Sequence, residues 1–201
     1  MKKSVLLFIA IIIGLSVIAQ DDYKTIFGDG SIKKIRGFGG PLMTFTTIDG
    51  QFAHMMGGGG GIILNDQVIF GGFGSGVTNR IDAVRTVDGV ELYTDQEVDL
   101  GFGGLWFGYI IKGNAPIHPV IHTQIGWGSI ELKDKDDYIA HSTDPIFVLN
   151  PIVELEMNIT RFFRLSVGGN YRLGFGVGTR GFSDSDISGP GGFLAFKFGW
   201  F

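Results

Sequence analysis

Four histidines, His54, His118, His122 and His141, are the side chains of this 201-residue chain best suited to moving a proton or ligating a metal. The chain has no cysteine, which removes a catalytic thiol, a thiolate metal site, a disulfide framework and a lipid-anchored cysteine together. His118 and His122 share a face of any strand that holds them, but at about 3.3 Å per residue they stand about 13 Å apart, too far for one metal ion. His54 could approach either across an enclosed interior, yet no carboxylate completes a recognisable ligand set. His141-Ser142-Thr143-Asp144 gathers nucleophile-like types, but in what reads as a loop, where hydrogen-bond geometry is not held. Packing is the expected role of these histidines, with no enzyme activity, metal or cofactor.

Two further patterns have bland readings. The acidic runs Asp134-Lys135-Asp136-Asp137 and Asp184-Ser185-Asp186 offer oxygens to a hard cation but match no calcium-loop spacing, and are expected to be solvated tips. Gly37-Phe38-Gly39-Gly40 and Gly101-Phe102-Gly103-Gly104 look like phosphate loops only superficially. Neither opens a helix, so glycine here is expected to give curvature and small volume.

The elements that must position these residues begin after a leader. Lys2-Lys3, an uncharged apolar run and Val17-Ile18-Ala19 describe a signal peptide over residues 1–19, cut after Ala19. Residues 20–32 are expected to be a periplasmic tail and residues 33–201 one domain. Glycine accounts for 34 residues, far above the usual ~7%, but without a three-residue period, and 13% aromatics excludes disorder. The formal charge is −4, and −6 once Lys2 and Lys3 leave with the leader, so nucleic acid is not an expected partner.

Eight segments rich in Phe, Ile, Val, Tyr and Gly then follow, at 33–45, 52–64, 68–78, 97–111, 117–130, 145–157, 162–175 and 191–201. The breaks after the second, fourth and sixth are brief and turn-forming, at Asn65-Asp66-Gln67, at residues 112–116 and at residues 158–161. Those after the third, fifth and seventh, 79–96, 131–144 and 176–190, are long and polar. The first break, with Asp49-Gly50 inside it, is short although it falls on the long-loop side. In the seventh segment Phe163, Leu165, Val167, Gly169, Tyr171, Leu173 and Phe175 alternate with Arg164, Ser166, Gly168, Asn170, Arg172 and Gly174. The fifth and sixth likewise set an apolar face against one carrying His118, His122, Gln124, Glu154 and Glu156.

A wholly apolar face opposite a charged one is satisfied when the apolar face meets lipid and the charges point into an enclosed space. A closed barrel does this and leaves no unpaired edge. The expected fold is therefore all-β, an eight-stranded antiparallel up-and-down transmembrane barrel. Its lumen network would comprise Glu154, Glu156, Arg164, Asn170, Arg172, His118, His122 and Gln124, with Glu156 opposite Arg164. Trp106, Phe107, Tyr109, Phe162, Phe163, Trp200 and Phe201 are expected as the aromatic girdle of the short-turn end.

These features together resemble the small eight-stranded outer-membrane barrels of Gram-negative bacteria, the OmpA/OmpX-like group, over Lys33 to Phe201. The resemblance implies an outer-membrane location with membrane lipids and lipopolysaccharide around the wall, as a monomer. It also implies a C-terminal insertion signal, Phe196, Phe198, Trp200 and Phe201, read by the insertion machinery. Phe201 is out of phase with Trp200, Phe198 and Phe196, so either it overhangs the membrane or a bulge near Gly199 corrects the phase. Lipid-modifying barrels of this size typically set a Ser or acid beside a catalytic His, and Thr123-Gln124 after His122 departs from that. The implied role is a scaffold anchoring three long extracellular loops, structural or interactive and without catalysis. The alternative is a narrow pore or a lipid-modifying enzyme.

Overall fold

The computed structural model describes residues 32–135 and 140–201. The leader, its cleavage site and the tail up to residue 31 lie outside the described residues, as do 136–139 and the side chains of Ala140 and His141.

Ten strands form: β1 (Ile35–Ile48), β2 (Gln51–Leu64), β3 (Val68–Val77), β4 (Arg85–Val87), β5 (Val90–Leu92), β6 (Gln96–Ile110), β7 (Ile117–Asp134), β8 (Ala140–Asn158), β9 (Phe163–Phe175) and β10 (Gly189–Gly199). Eight of them close an antiparallel barrel in the order β1-β10-β9-β8-β7-β6-β3-β2, while β4 and β5 pair only with each other. Closure gives every barrel strand two hydrogen-bonded neighbours, which is how strands satisfy their backbone in lipid.

The first connection is a two-residue turn in which Asp49 and Gly50 both take positive φ, 53° and 69°. Asn65 and Asp66 repeat this at 50° and 62°. Positive φ at both central residues is the type I′ geometry that follows the right-handed twist of a hairpin, and Asn, Asp and Gly tolerate it best.

The long connections carry more structure than their polarity suggested. Segment 79–96 contains the β4–β5 hairpin, turned at Asp88-Gly89, and Asp82 pairs with Glu97. Segment 131–144 is mostly strand: β7 and β8 stay paired past the barrel wall, through Glu131↔Thr143 and Leu132↔Ser142, with a register shift at Leu132/Lys133. Ser142, Thr143 and Asp144 are therefore held in a ladder, not in a loop.

Alternation sorts the side chains. Outward positions Ile117, Ile121, Val153, Leu155, Val167, Tyr171 and Phe198 are exposed and apolar, the opposite of a water-soluble surface. Toward the loop end this band closes with Trp127 against Phe147 and Phe147 against Phe175, neighbours in register with ring centres 5.7 and 6.2 Å apart. Toward the turn end Phe70 meets Phe107, and Phe162 meets both Phe198 and Trp200. The strands, 10 to 19 residues long, suffice for the about 9 to 11 tilted residues that cross a bilayer. Trp106 departs from the expected girdle: it points inward and is 0% exposed, because on β6 it shares the phase of Val98, Leu100 and Phe102.

Candidate functional site

The barrel interior is divided. Buried side chains from β1, β2, β3 and β6 are mostly apolar, including Phe38, Leu42, Met55, Ile69, Phe73 and Trp106. Those of β7, β8, β9 and β10 include nearly all the buried charge. The seam between the halves is aromatic: Phe38 stacks edge-on against Trp106 at 5.3 Å, Trp106 meets His122 at 5.1 Å, and His122 meets Phe193 at 5.5 Å. Inward glycines make room for these rings. A Cβ at Gly59 would sit 3.0 Å from the Trp106 ring, and one at Gly126 would sit 3.1 Å from Phe73.

On the polar side the eight expected lumen residues are all buried, and the structure adds Lys197, which the sequence reading missed. Its ammonium lies 2.5 Å from Glu154 Oε1 and 2.7 Å from Glu156 Oε2. Arg164 donates to Glu156 Oε1 at 2.7 Å, and Ser166 donates to Glu156 Oε2 at 3.3 Å. Glu156 faces Ser166 in register, so its bond to Arg164 is diagonal. His118 Nε2 lies 3.1 Å from Glu156, and His122 Nε2 lies 3.3 Å from Glu154. Two carboxylates and two cations thus balance inside a low-dielectric wall, the condition under which buried charge is tolerated. The signal for Lys197 was present in the phase of β10: Phe193, Ala195, Lys197 and Gly199 are its inward set.

Above this cluster Gln124, Asn150 and Asn170 form an amide ladder, Asn150 donating to Gln124 at 3.0 Å and Asn170 to Asn150 at 2.8 Å. Arg172 stands apart from the carboxylates. It donates to the carbonyls of Ile187 at 2.6 Å and Thr47 at 2.8 Å, tying the wall to the loops.

The two histidines on β7 serve different carboxylates and do not converge. His54 is not in the lumen: on β2 it takes the outward phase, stacks on Phe45 at 5.0 Å and bonds Thr78 Oγ1 at 2.8 Å. No group of three or more His, Asp or Glu among the described residues could hold a metal ion. The carboxylates of 184–186 are occupied by their own turn, Asp184 accepting from the Gly176 and Val177 amides and Asp186 from Ser183.

The two ends differ in build and charge. At the loop end Arg85 of β4 pairs with Asp49 through two nitrogens, donates to the Gly181 carbonyl at 3.0 Å and lies 4.2 Å over the Phe182 ring. Tyr93 packs on Phe182 and donates to the Arg180 carbonyl. Beneath them Ile81, Ala83, Phe182 and Ile187 are buried with Ile130 and Leu132, so the long connections share a core and form a folded cap. Among the described residues this end carries twelve carboxylates, from Asp49 to Asp186, against five cations, Arg80, Arg85, Lys133, Lys135 and Arg180.

Asp144, beyond the apolar band, joins two parts of the cap. Burial alone would raise its carboxyl. The Thr179 hydroxyl at 2.6 Å and the Gly178 and Thr179 amides outweigh burial and hold it below its ordinary value.

At the turn end β10 stops at Gly199, in register with Phe38, and no bulge adjusts the phase. Phe196, Phe198 and Trp200 take the outer face, while the Arg164 guanidinium lies 4.0 Å over the Phe201 ring. Phe201 thus turns under the barrel and lines, with Arg36, Asn158, Arg161 and Arg164, a depression of about 430 Å³ at the mouth.

No family model matches the chain, and no curated protein matches its sequence. Among solved structures it is similar to the Neisserial surface protein A, at TM-score 0.57 and 11% identity, over 83% of this chain and 96% of that one. The N-terminal β-barrel domain of Pseudomonas aeruginosa OprF follows at TM-score 0.53 and 12% identity, covering 82% of this chain and 97% of that one. The Yersinia pestis attachment invasion locus protein Ail, in complex with the heparin analogue sucrose octasulfate, has TM-score 0.50 and 12% identity over 83% of this chain and 97% of that one. At such identities the likeness is one of fold: a closed eight-stranded antiparallel barrel of the small outer-membrane type.

Proposed function

We propose that this chain is an outer-membrane barrel whose packed wall anchors a folded acidic cap at the cell surface, with a structural or binding role and no catalysis. The observation that carries the reading is the division of labour along the axis. The interior is closed by the Phe38, Trp106, His122 and Phe193 seam and by the Lys197 cluster, whereas the loop end builds its own core and exposes a concentrated charge. The His122–Glu154 pair, enclosed by Lys197, Trp106 and Phe193, serves charge balance and packing in this reading and not acid–base chemistry. In this reading membrane lipids and lipopolysaccharide surround the wall, and the insertion machinery handles the segment of Phe196, Phe198, Trp200 and Phe201.

The cap's charge suits a cationic partner. A sulfated polyanion, the ligand in the Ail structure, is a poor match for twelve carboxylates against five cations. Protease added to intact cells tests the orientation. Cuts confined to 79–95, 136–139 or 176–188 support it; cuts at Asn65-Asp66 or at 159–161 overturn it. Binding of the purified protein to a cationic peptide such as polylysine, lost in high salt, tests the cap; equal binding to heparin would sink its assignment.

A further inference from the structure

The turn end carries the opposite sign of charge to the cap. Lys33, Lys34, Arg36, Lys112 and Arg161 surround it, and Asp66 is the only carboxylate side chain on that rim among the described residues. Asp66 is already engaged, 2.9 Å from Lys34 and 2.8 Å from Arg36. Lys112 and Arg161 are exposed and have no ion-pair partner among the described residues. Their turns are held in place: Asn158 donates to the Gly113 and Ala115 carbonyls at 3.1 and 2.8 Å, which locks the Lys112 turn to the end of β8. The Phe201 amide bonds the Arg161 carbonyl and fixes the second turn to the chain end. Beside Arg161 stands Phe162, its ring centre 6.2 Å from that of Trp200, and the exposed Tyr109 lies three residues before Lys112, at the end of β6. Aromatic rings at a barrel rim mark the depth of the headgroups. The cations therefore sit where lipid phosphates lie.

We propose that the turn-end rim, centred on Lys112 and Arg161, selects anionic phospholipid, a phosphodiester headgroup of net negative charge, from the leaflet that it touches. Interspersed cations and carboxylates would cancel at this range. Here the net sign differs between the two ends, positive on the turn-end rim and negative on the cap, so one leaflet meets a positive collar and the other lies under a negative cap. A cation near an anionic surface contributes about 1 kcal/mol, which is about fivefold in local lipid occupancy, and screening by salt reduces it. Nothing comparable is expected at the loop end, where Asp99, Glu131 and Lys133 stand just beyond the band.

The molecule carries its own reporters. Trp200, 79% exposed, marks the turn end; Trp127, 57% exposed, marks the loop end; Trp106 is enclosed and supplies a constant background. The full chain, as Trp127→Phe or Trp200→Phe, is reconstituted in phosphatidylcholine vesicles containing brominated phosphatidylglycerol or brominated phosphatidylcholine, and tryptophan quenching gives the lipid exchange constant at each end. The expected result is a two- to fivefold preference for phosphatidylglycerol at Trp200 and none at Trp127. The Trp200 preference should vanish in Lys112→Gln/Arg161→Gln and in high salt, while the barrel still runs as a folded species in unheated gels. Equal constants at Trp200, a preference of the same size at Trp127, or a preference surviving both neutralisations would overturn the proposal. It rests on the membrane-spanning reading, but both leaflets of the vesicles are identical, so this test fails independently of the orientation that proteolysis measures.

Discussion

Lys197 on β10 reaches across β9 to Glu154 on β8, with 2.5 Å between Nζ and Oε1. Gly168 of β9 stands in register with Glu154, and a Cβ there would fall 2.2 Å from the Val153 carbonyl and 2.6 Å from Glu154 Cα. Glycine in the middle strand lets the β8 backbone that carries Glu154 lie close against β9.

Breaking that pair by Lys197→Met should leave two buried carboxylates with one cation and destabilise the barrel by about 3 to 5 kcal/mol. Glu154→Gln alone should also be costly, and the double variant should cost less than the two single costs combined. Urea unfolding from vesicles of the three variants measures this. Additive costs would mean that the two groups do not interact.

Gly168→Ala should cost about 1 to 3 kcal/mol, because the added methyl meets backbone. The contrast is Gly74→Ala, where nothing lies within 4 Å of the new atom. That variant should stay within about 0.5 kcal/mol of the parent. Similar unfolding midpoints for the two variants would contradict the packing described.

Val167 is 49% exposed on the apolar band. Val167→Arg should therefore cost about 2 to 4 kcal/mol in vesicles if it lies near mid-membrane. Asn170 is a poor control, since it is buried and bonded to Asn150, so Arg there would overpack the lumen. Thr86→Arg in the cap is the better one and should be near neutral. Equal costs at 167 and 86 would argue against a lipid-facing wall.

Asp144 supplies a pH dependence whose sign follows from its lowered carboxyl. A carboxyl held below its unfolded value of 3.8 contributes stability above that value and loses it as pH falls through the folded one. The stability gap between the parent and Asp144→Asn should be full at neutral pH and close progressively below 3.8. Unfolding series at stepped pH measure the gap. A gap that is constant with pH, or that widens in acid, would remove Asp144 from the cap's electrostatics.

The packed interior predicts that the purified protein gives no stable open channel in planar bilayers. Eight strands leave a bore that side chains fill. Reproducible conductance steps altered by Lys197→Met would restore the pore reading.

What the sequence determined by itself was local and periodic. The period of two in 163–175, the greasy face of β7, β8 and β9, and the turns at Asn65-Asp66 and 112–116 depend on neighbours along the chain, and these read directly as strands, faces and hairpins. The long polar connections read as loops for the same reason, since composition reports water contact and not pairing. Only the tertiary structure could decide that 131–134 and 140–144 extend a hairpin, or that Arg85 reaches Asp49 and Phe182 to gather three connections into one cap. It alone turned Trp106 inward and His54 outward, because in glycine-rich strands the phase is set by the register with the next strand and not by the strand's own pattern. Lys197 joins the network for a related reason: its partners lie 41 and 43 residues away in sequence, and only closure of β10 against β9 brings a buried ammonium to two carboxylates that need it.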